Sequence, residues 1–202
     1  PRAVDESLSY LFVPHPRTIY RAAKKLPAGS CAEFHEGRFH SRRYWDISYG
    51  AAGRGNVPPG DVVDRLDDLL CDSVKARMVA DVPLGAFLSG GLDSSLIVAM
   101  MQRCSSRPVQ TFCVGFKEQS FNETRHARLV AEALGTEHEE CIVDYDVQDL
   151  LPPMLDHFGE PFADSSAIPE FHLSRVTRRH VTVALSGDGG DELFGGYRRY
   201  PA

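Results

Sequence analysis

The sequence lacks the features that mark membrane, disulfide-rich and nucleic-acid-binding proteins. No run of about 18 apolar residues occurs, so no membrane span is expected. The 5 cysteines form no Cys-x-x-Cys or Cys/His group, which predicts reduced thiols in a cytoplasmic protein rather than a disulfide framework or a metal site. Arginine pairs are isolated and the formal net charge is -6, so no nucleic-acid partner is expected.

Two common phosphate-binding motifs, Gly-x-x-x-x-Gly-Lys-Ser/Thr and Gly-x-Gly-x-x-Gly, are also absent. The sequence has instead Ser-Gly-Gly-Leu-Asp-Ser-Ser at Ser89–Ser95, between the apolar runs Ala86–Leu88 and Leu96–Met101. Adjacent glycines let backbone amides converge, and a following helix adds free N–H groups and a positive dipole end. This order predicts a phosphate cradle; the alternative is an ordinary glycine turn between a strand and a helix.

The residue types in this stretch indicate a magnesium nucleotide. Ser89, Ser94 and Ser95 can donate hydroxyl hydrogen bonds to phosphate oxygens. Asp93 would repel a bare phosphate, and its presence is explained if Mg²⁺ bridges its carboxylate to the phosphates. Mg²⁺ is therefore expected as a cofactor.

A second glycine-rich stretch, Leu185–Tyr197, reads Leu-Ser-Gly-Asp-Gly-Gly-Asp-Glu-Leu-Phe-Gly-Gly-Tyr. Its carboxylates Asp188, Asp191 and Glu192 are close together, and like charges at this spacing repel unless a cation is present. We therefore expect Asp93 and Asp191 to hold Mg²⁺ together. The alternative is a solvated acidic turn.

Apolar spacing predicts an α/β fold after residue 60. The predicted elements are helix Asp61–Met78, strand Val109–Phe116, helix Glu123–Leu134 capped by Gly135, strand Glu139–Val143, helices Val147–His157 and Ala167–Arg179, and strand Val181–Leu185. Short apolar strands between helices give a mostly parallel sheet covered on both faces. Ligands of such sheets bind beyond the carboxyl ends of the strands, where both glycine-rich stretches fall.

The first 60 residues have a different pattern. Val4–Phe12 is predicted as a short helix, and the runs Cys31–His35 and Arg38–Trp45 flank a glycine turn and predict a β-hairpin. Ser48–Gly60 is rich in glycine and proline and predicts a linker. We expect both ends of the sequence to be cut, because it has no initiator Met and stops just after a motif.

The first glycine-rich stretch resembles the pyrophosphate loop of N-type ATP pyrophosphatases. Together, the two stretches resemble the synthetase domain of glutamine-dependent asparagine synthetases, and Tyr10–Pro14, Thr18–Tyr20, Lys25–Gly29 and Arg43–Asp46 are similar to the junction that closes that family's glutaminase domain. The resemblance implies a glutaminase tail at 1–47, a linker at 48–60, and at 61–202 a C-terminally truncated domain with the adenine-nucleotide α-hydrolase (PP-loop) fold. The family's glutaminase nucleophile is an N-terminal cysteine; since this sequence begins with Pro1, we expect no glutaminase activity from it.

The resemblance also implies site residues, carried over by position. Nucleotide contacts are implied for Leu88, Val114, Ser186 and Gly187; pyrophosphate contacts for Ser89, Gly90, Gly91, Asp93, Ser94 and Ser95; Mg²⁺ ligation for Asp93 and Asp191; catalytic roles for Asp93, Asp188, Asp191 and Glu192; and acceptor contacts for Ser165, Ser166 and Gly187.

The acceptor segment Gly159–Pro169 has a second interpretation, a helix start with Ser165 or Ser166 as N-cap, and both interpretations can hold. Plain asparagine synthetases tend to carry arginine near Ile168 and glutamate near Asp188. The residues found here are typical of bacterial relatives, including amidotransferases of exosortase and surface-polysaccharide systems. The implied acceptor is therefore L-aspartate or another carboxylate.

The implied reaction is ATP-dependent amidation: a carboxylate attacks the α-phosphate of ATP, pyrophosphate leaves, and ammonia derived from glutamine displaces AMP. The family implies a homodimer. Because relatives use a lysine and acidic residues farther downstream, we expect this chain to bind Mg-ATP but to turn over poorly or not at all. The alternatives are another ATP pyrophosphatase, such as a β-lactam-forming, GMP or NAD synthetase or a tRNA-thiolating enzyme, and a non-catalytic ATP-binding relative.

Overall fold

A computed structural model of the chain describes residues 2–48, 58–116, 122–143 and 147–197. The helices are α1 (Arg2–Tyr10), α2 (Pro59–Arg77), α3 (Leu92–Cys104), α4 (Thr124–Leu134), α5 (Val147–Phe158), α6 (Ala167–Thr177) and α7 (Gly190–Phe194); the strands are β1 (Ser30–His35), β2 (Arg38–Arg43), β3 (Leu84–Phe87), β4 (Gln110–Phe116), β5 (Glu137–Val143) and β6 (Val183–Leu185). Most of the predicted linker Ser48–Gly60 lies outside the described residues. The chain divides into two compact units, Pro1–Asn56 with Asp146–Ala167, and Val57–Tyr145 with Ile168–Ala202.

The first unit contains the predicted helix and hairpin. α1 begins and ends two residues before the predicted range Val4–Phe12. β1 and β2 pair in the antiparallel direction over their whole length, which confirms the hairpin. β2 ends at Arg43 rather than at the predicted Trp45, because the N–H groups of Tyr44 and Trp45 both donate to the Gly29 carbonyl, at 2.8 and 3.1 Å.

Ion pairs hold the irregular segment between α1 and β1. Arg17 forms a two-pronged pair with Glu6, with Nε 2.6 Å from Oε2. This contact holds the pKa of the Glu6 carboxyl below its usual value. Lys25 donates to the Val13 carbonyl at 2.5 Å and pairs with Glu160. The segment is therefore fixed at both ends by charged groups.

The second unit is built on a four-stranded sheet in the order β5-β4-β3-β6. All three neighbouring pairs in this sheet are parallel. α3 connects β3 to β4 and α4 connects β4 to β5, as parallel pairing requires. The predicted α/β fold with a parallel sheet is confirmed.

Both faces of the sheet are covered. The larger core cluster comprises Val74, Ala86, Leu88, Val98, Met100, Met101, Val109, Cys113, Ala127 and Ala131, from α2, α3, α4 and one face of the central strands. On the opposite face Phe112 packs with Leu173 of α6 and with Val181. Successive residues of a strand point to opposite faces, so neighbours such as Phe112 and Cys113 enter different clusters.

Two boundaries near β6 differ from the prediction. α6 ends at Thr177 rather than at Arg179, because the Arg179 N–H bonds to the carbonyl three residues back, the spacing of a tight turn. β6 begins at Val183 rather than at Val181, because the Val181 N–H is still bonded to the Thr177 carbonyl at 2.9 Å. The short helix α7 was not predicted, since its segment is rich in glycine.

Within the described residues, no helix combines the length and apolar character that crossing a membrane would require. The 5 cysteines are all free.

Candidate nucleotide site

Two neighbouring strands bring the glycine-rich stretches to one edge of the sheet. β3 and β6 pair in parallel, with Ala86 opposite Leu185 near their carboxyl ends. The chain leaves β3 through residues 88–91 and enters α3, and it leaves β6 through residues 186–189 and enters α7. We name these segments the first loop (88–91) and the second loop (186–189). Both lie where ligands bind in parallel sheets.

The first loop is pressed against α4 at Gly90. Gly90 has φ +81, and a Cβ at this position would lie 2.5 Å from the main-chain carbon of His126. A side chain is therefore excluded by the backbone conformation and by the lack of space. This contact fixes the path of the first loop over the start of α3.

Hydroxyl groups line the first turn of α3. Ser89 and Ser94 are bonded through their Oγ atoms at 2.9 Å, and the Gly91 N–H donates to Ser89 Oγ at 3.2 Å. Ser95 Oγ is buried and has no hydrogen-bond partner among the described residues. The N-cap is Gly91, and in the described structure no side chain caps α3. The first N–H groups of α3 have no acceptor within the helix and can donate to an anion.

The second loop lies directly on the start of α3. A Cβ at Gly187 would be 2.7 Å from the Ser94 nitrogen, and one at Gly190 would be 2.5 Å from Asp93 Cγ. At Gly187 only glycine allows this approach, because the nearest atoms that a Cβ would meet are main-chain atoms; at Gly190 they belong to the Asp93 side chain. The second loop and the first residue of α7 therefore contact the start of α3 at Asp93 and Ser94.

The carboxylates that follow β6 have separate surroundings. Ser186 Oγ donates to Asp188 Oδ2 at 2.8 Å, and Tyr197 Oη donates to Glu192 Oε1 at 2.5 Å. Asp191 follows Gly190 and turns its side chain towards Gly196, where a Cβ would be 2.9 Å from Asp191 Cγ. Asp188 and Glu192 are thus oriented by hydroxyl groups, and Asp191 is one residue from the glycine that contacts Asp93.

These groups fit a magnesium–phosphate ligand. No group of three or more His, Cys, Asp or Glu side chains within the described ranges is arranged to hold a metal ion by itself. Mg²⁺ in nucleotide sites usually takes one or two carboxylates and completes its shell with phosphate and water. Asp93, with the unpartnered Ser95 hydroxyl and the exposed helix end, matches part of that donor set, and Asp191 directly follows the glycine that contacts Asp93.

The two apolar residues implied for nucleotide contact lie on different faces of the sheet. Leu88 is only 1% exposed and packs in the larger core cluster, and its N–H donates to the Phe112 carbonyl at 2.8 Å. Val114 packs against the cluster on the opposite face. The Leu88 side chain is therefore part of the core.

Ser165 and Ser166 belong to the first unit, whereas both loops belong to the second. Asp164 Oδ1 accepts hydrogen bonds from Ser166, from the N–H at 2.9 Å and from Oγ at 2.8 Å. These bonds hold the pKa of Asp164 below its usual value, the backbone bond being the larger cause. The start of α6 is thus stabilised by the Asp164 carboxylate, and the Ser166 hydroxyl acts as a donor to it.

A cavity of about 550 Å³ adjoins the second loop and the start of α3. It is lined by Leu66, Leu70, Ser73, Val74, Arg77, Leu92, Asp93, Leu96, Ile97, Leu185, Ser186, Gly187, Asp188, Gly189, Gly190, Leu193 and Phe194. Of these described lining residues, Arg77 alone is cationic, and it donates to Ser73 Oγ at 2.8 Å. The sequence did not place Arg77 near the site, and it assigned no role there to Leu193 or Phe194, which belong to the second glycine-rich stretch. Helical spacing on α2 predicted only that one face of that helix is apolar.

Comparison with known proteins adds sequence relationships to this geometry. The family model described as Asparagine synthase matches residues 65–202. The glutamine-hydrolysing asparagine synthetase 1 of Bacillus subtilis is 39% identical, over 98% of this chain and 31% of that protein. The putative asparagine synthetase 2 of Methanocaldococcus jannaschii is 36% identical over 96% and 38%, and asparagine synthetase B of Escherichia coli is 32% identical over 89% and 34%. The chain thus spans about a third of the length of these curated relatives.

Similar solved structures include the NH3-dependent NAD synthetase of Campylobacter jejuni, with a TM-score of 0.45, 15% identity and coverage of 66% of this chain and 60% of that one. The NMN synthetase of Francisella tularensis has a TM-score of 0.46 and 16% identity, with coverage of 70% and 59%. These likenesses are distant, and the family assignment depends on the sequence match. Since that match extends over residues 65–202, more than half of the chain, the chain belongs to the asparagine synthase family.

Proposed function

We propose that this chain carries the Mg-ATP site of a glutamine-hydrolysing asparagine synthetase, which amidates L-aspartate through an acyl-adenylate. The observation that supports this most directly is the approach of the second loop to the backbone of Asp93 and Ser94, where a Cβ at Gly187 would lie 2.7 Å from the Ser94 nitrogen. In the proposed site, the two glycine loops from adjacent parallel strands would form one surface with hydroxyl, amide and carboxylate groups. The names of the relatives support L-aspartate as acceptor and glutamine as the source of ammonia.

In this proposal the first loop and the start of α3 hold the phosphates without a lysine. The N–H groups of the first turn, the hydroxyls of Ser89, Ser94 and Ser95, and the positive end of the helix dipole all favour an anion. Gly90 and Gly91 let the backbone approach the phosphates closely. Asp93 and Asp191 would hold Mg²⁺, which when bound neutralises charge on the pyrophosphate.

On the nucleoside side, the proposed contacts are Leu88, Val114, Ser186 and Gly187. Leu88 would contribute its main-chain carbonyl, because its side chain is in the core. Ser186 and Gly187 would bind from the second loop, and Asp188 and Glu192 would orient groups around the reacting carboxylate. The protein's main contribution is to position the acceptor oxygen and the α-phosphate and to stabilise the leaving pyrophosphate.

The remaining parts of the proposal come from the family resemblance. Ser165 and Ser166 would contact the acceptor, residues 1–47 would be the end of a glutaminase domain, and the full-length enzyme would be a cytoplasmic homodimer. The ion pairs that fix the segment after α1 are consistent with a structured end of such a domain.

Product analysis tests the reaction. The chain is incubated with Mg-ATP, ammonium and L-aspartate, beside Asp93→Ala and the control Asp81→Asn, which alters an exposed carboxylate before β3 at the opposite edge of the sheet. Because the chain is expected to turn over poorly, we expect slow formation of AMP and pyrophosphate that depends on L-aspartate, with a loss of at least about ten-fold in Asp93→Ala and none in the control. ADP and phosphate as products, or AMP that does not depend on Asp93, would contradict the proposal.

A second candidate is a related amidotransferase, including the β-lactam-forming type, that acts on another carboxylate. It is favoured by Asp188, whose short side chain is bonded to Ser186 Oγ at 2.8 Å where plain asparagine synthetases tend to have glutamate. The same assay with a panel of amino acids and dicarboxylic acids separates the two candidates. AMP formation with another acid, and none with L-aspartate, would favour the second.

A further inference from the structure

Two cysteines on neighbouring helices contact each other. The pair lies away from the glycine loops. Cys71 of α2 and Cys104 of α3 have their Sγ atoms 3.4 Å apart. Both thiols are free and both residues are partly exposed, so a small reagent can reach them. A disulfide bond needs sulfur atoms about 2 Å apart, so a small movement of the two side chains would suffice to form one.

The helices that carry these cysteines are fixed in register by an ion pair. Arg103 Nη1 lies 2.8 Å from Oδ1 and 2.9 Å from Oδ2 of Asp67. Asp67 is one helical turn before Cys71, and Arg103 adjoins Cys104 in the sequence. The contact with Arg103 holds the pKa of Asp67 below its usual value, so the pair is charged at neutral pH. This arrangement keeps the two thiols facing each other.

The buried cysteines differ from this pair in reactivity. Cys113 and Cys141 are at most 9% exposed. Burial raises the pKa of Cys113 to about 12, so its nucleophilic thiolate is scarce at neutral pH. Cys71 and Cys104, in contrast, contact each other and are partly exposed to solvent.

We propose that Cys71 and Cys104 form a redox-sensitive pair, which closes to an intramolecular disulfide when it meets a small-molecule disulfide such as oxidised glutathione. One thiolate attacks a glutathione sulfur and releases one glutathione thiolate, leaving a mixed disulfide. The second thiolate then attacks the protein sulfur of that bond and releases the second glutathione thiolate. Two protein thiols are oxidised, one glutathione disulfide is reduced to two thiols, and the proposal does not depend on the proposed function.

The disulfide would join α2 to the end of α3 opposite the first loop. The bond would close the chain segment between Cys71 and Cys104 into a loop. Because this loop restricts the unfolded state, the midpoint of thermal unfolding should rise by on the order of 5 to 10 °C. Contact with Cys104 and burial raise the pKa of Cys71. Closure is therefore expected to be faster at alkaline than at neutral pH, because more thiolate is present.

The test uses the purified, fully reduced chain, incubated with oxidised glutathione and then alkylated under denaturing conditions. Peptide mapping by mass spectrometry without reduction identifies the linked cysteines, and a thermal scan of each sample gives the unfolding midpoint. Cys71→Ser and Cys104→Ser remove either partner, and Cys31→Ser, in the hairpin, is the matched control. Far-ultraviolet circular dichroism confirms that each variant is folded before it is compared.

The proposal predicts a Cys71–Cys104 cross-link and a higher unfolding midpoint in the original chain and in Cys31→Ser. Both effects should be absent from Cys71→Ser and Cys104→Ser, which should carry only glutathione adducts. Stable glutathione adducts on both cysteines without a cross-link would overturn the proposal. A cross-link that joins other cysteines, or an unfolding midpoint that does not rise when the pair is linked, would also overturn it.

Discussion

Two buried hydroxyl groups of the second unit can be compared, because only one of them lies in the proposed ligand site. Ser95 Oγ and Thr177 Oγ1 are both buried without a hydrogen-bond partner in the described part of the chain. Ser95 lies in the first turns of α3 beside the proposed phosphates, whereas Thr177 ends α6. A buried hydroxyl without a partner lowers stability, so each residue needs a separate explanation.

We predict that Ser95→Ala weakens Mg-ATP binding by about 1 to 2 kcal/mol, roughly five- to thirty-fold, because in the proposed site the hydroxyl donates to a phosphate oxygen. The unfolding free energy of the ligand-free variant should not fall. Isothermal titration calorimetry and urea unfolding measure the two quantities. An unchanged affinity would remove Ser95 from the proposed site.

Thr177→Val is the control for Ser95→Ala, because it removes a buried hydroxyl at a position where no ligand is proposed. Valine has a shape similar to that of threonine and removes an unpartnered hydroxyl from the protein interior. We predict an unfolding free energy higher by about 1 kcal/mol and an unchanged Mg-ATP affinity. A loss of stability in urea unfolding would indicate that Thr177 has a hydrogen-bond partner.

The glycine at 187 allows a test of the contact between the loops. In Gly187→Ala the new methyl group would meet the Ser94 nitrogen at 2.7 Å, so the second loop must move away from α3. We predict destabilisation by about 1 to 3 kcal/mol and a lower Mg-ATP affinity. The control is Gly60→Ala on α2, where a Cβ meets nothing within 4 Å. If both variants bind Mg-ATP equally, the contact does not shape the site.

At the scale of elements, α4 and β5 are joined by a bidentate ion pair. Arg128 Nε and Nη2 lie 2.7 Å from the two carboxylate oxygens of Glu140. Hydrogen bonding to Arg128 lowers the pKa of Glu140 from the usual value of 4.5. A depressed pKa in the folded state means that the pair stabilises the fold above the unfolded pKa, and that this stability is lost as the pH falls through the folded pKa.

We therefore predict that Arg128→Ala makes the unfolding midpoint less sensitive to pH below about 4.5, because Glu140 then titrates at similar pH in both states. Arg125→Ala, an exposed arginine on the same helix, serves as the control and should keep the original slope. Thermal scans across the acid range measure this difference. Equal slopes in the two variants would show that the ion pair has no influence on acid stability.

Elements with clear periodicity were predicted from sequence, and elements defined by tertiary hydrogen bonds were not. The predicted ranges of α2, β4 and α4 agree with the structure to within two residues at each end, because their apolar spacing matches one buried face. β6 lost its first two residues because the exit of α6 binds the Val181 N–H. α7 was missed because glycine composition predicts a loop, and no local rule anticipates a five-residue helix between glycines.

The candidate site likewise has features that the sequence predicted and features that depend on tertiary packing. The order of strand, glycine loop and helix predicted that both loops lie at the carboxyl edge of the sheet. The contact of Gly90 with α4, and that of Gly187 with Ser94, could not be predicted, because they depend on how distant segments pack. The position of Arg77 on the cavity wall also depends on packing.

At the scale of the whole second unit, the partly buried His138 predicts acid sensitivity near neutral pH. Burial is the largest cause that lowers the pKa of His138, followed by the opposing influence of Glu140, and Thr111 Oγ1 lies 2.9 Å from its Nδ1. Because the pKa of His138 in the folded state lies below the unfolded value of 6.5, the unfolded state binds more protons than the folded state once the pH falls below that value. The free energy of unfolding is therefore expected to be constant above about pH 7 and to decrease towards pH 5.

His138→Gln should reduce this fall in the unfolding midpoint between about pH 7 and pH 5, since it removes the titrating group. The control is His40→Gln in the exposed hairpin, which should leave the pH profile unchanged. An identical profile in His138→Gln and the original chain would assign the acid sensitivity to other groups.

The proposed function requires the two glycine loops to form one Mg-ATP site around Asp93. The most direct measurement is calorimetric titration of Mg-ATP into the original chain, Asp93→Asn, Asp191→Asn and the control Asp81→Asn, with and without Mg²⁺. The account predicts Mg²⁺-dependent binding that weakens about ten-fold or more in Asp93→Asn and in Asp191→Asn but is kept in the control. Binding that is equal in all four proteins, or that does not respond to Mg²⁺, would contradict it.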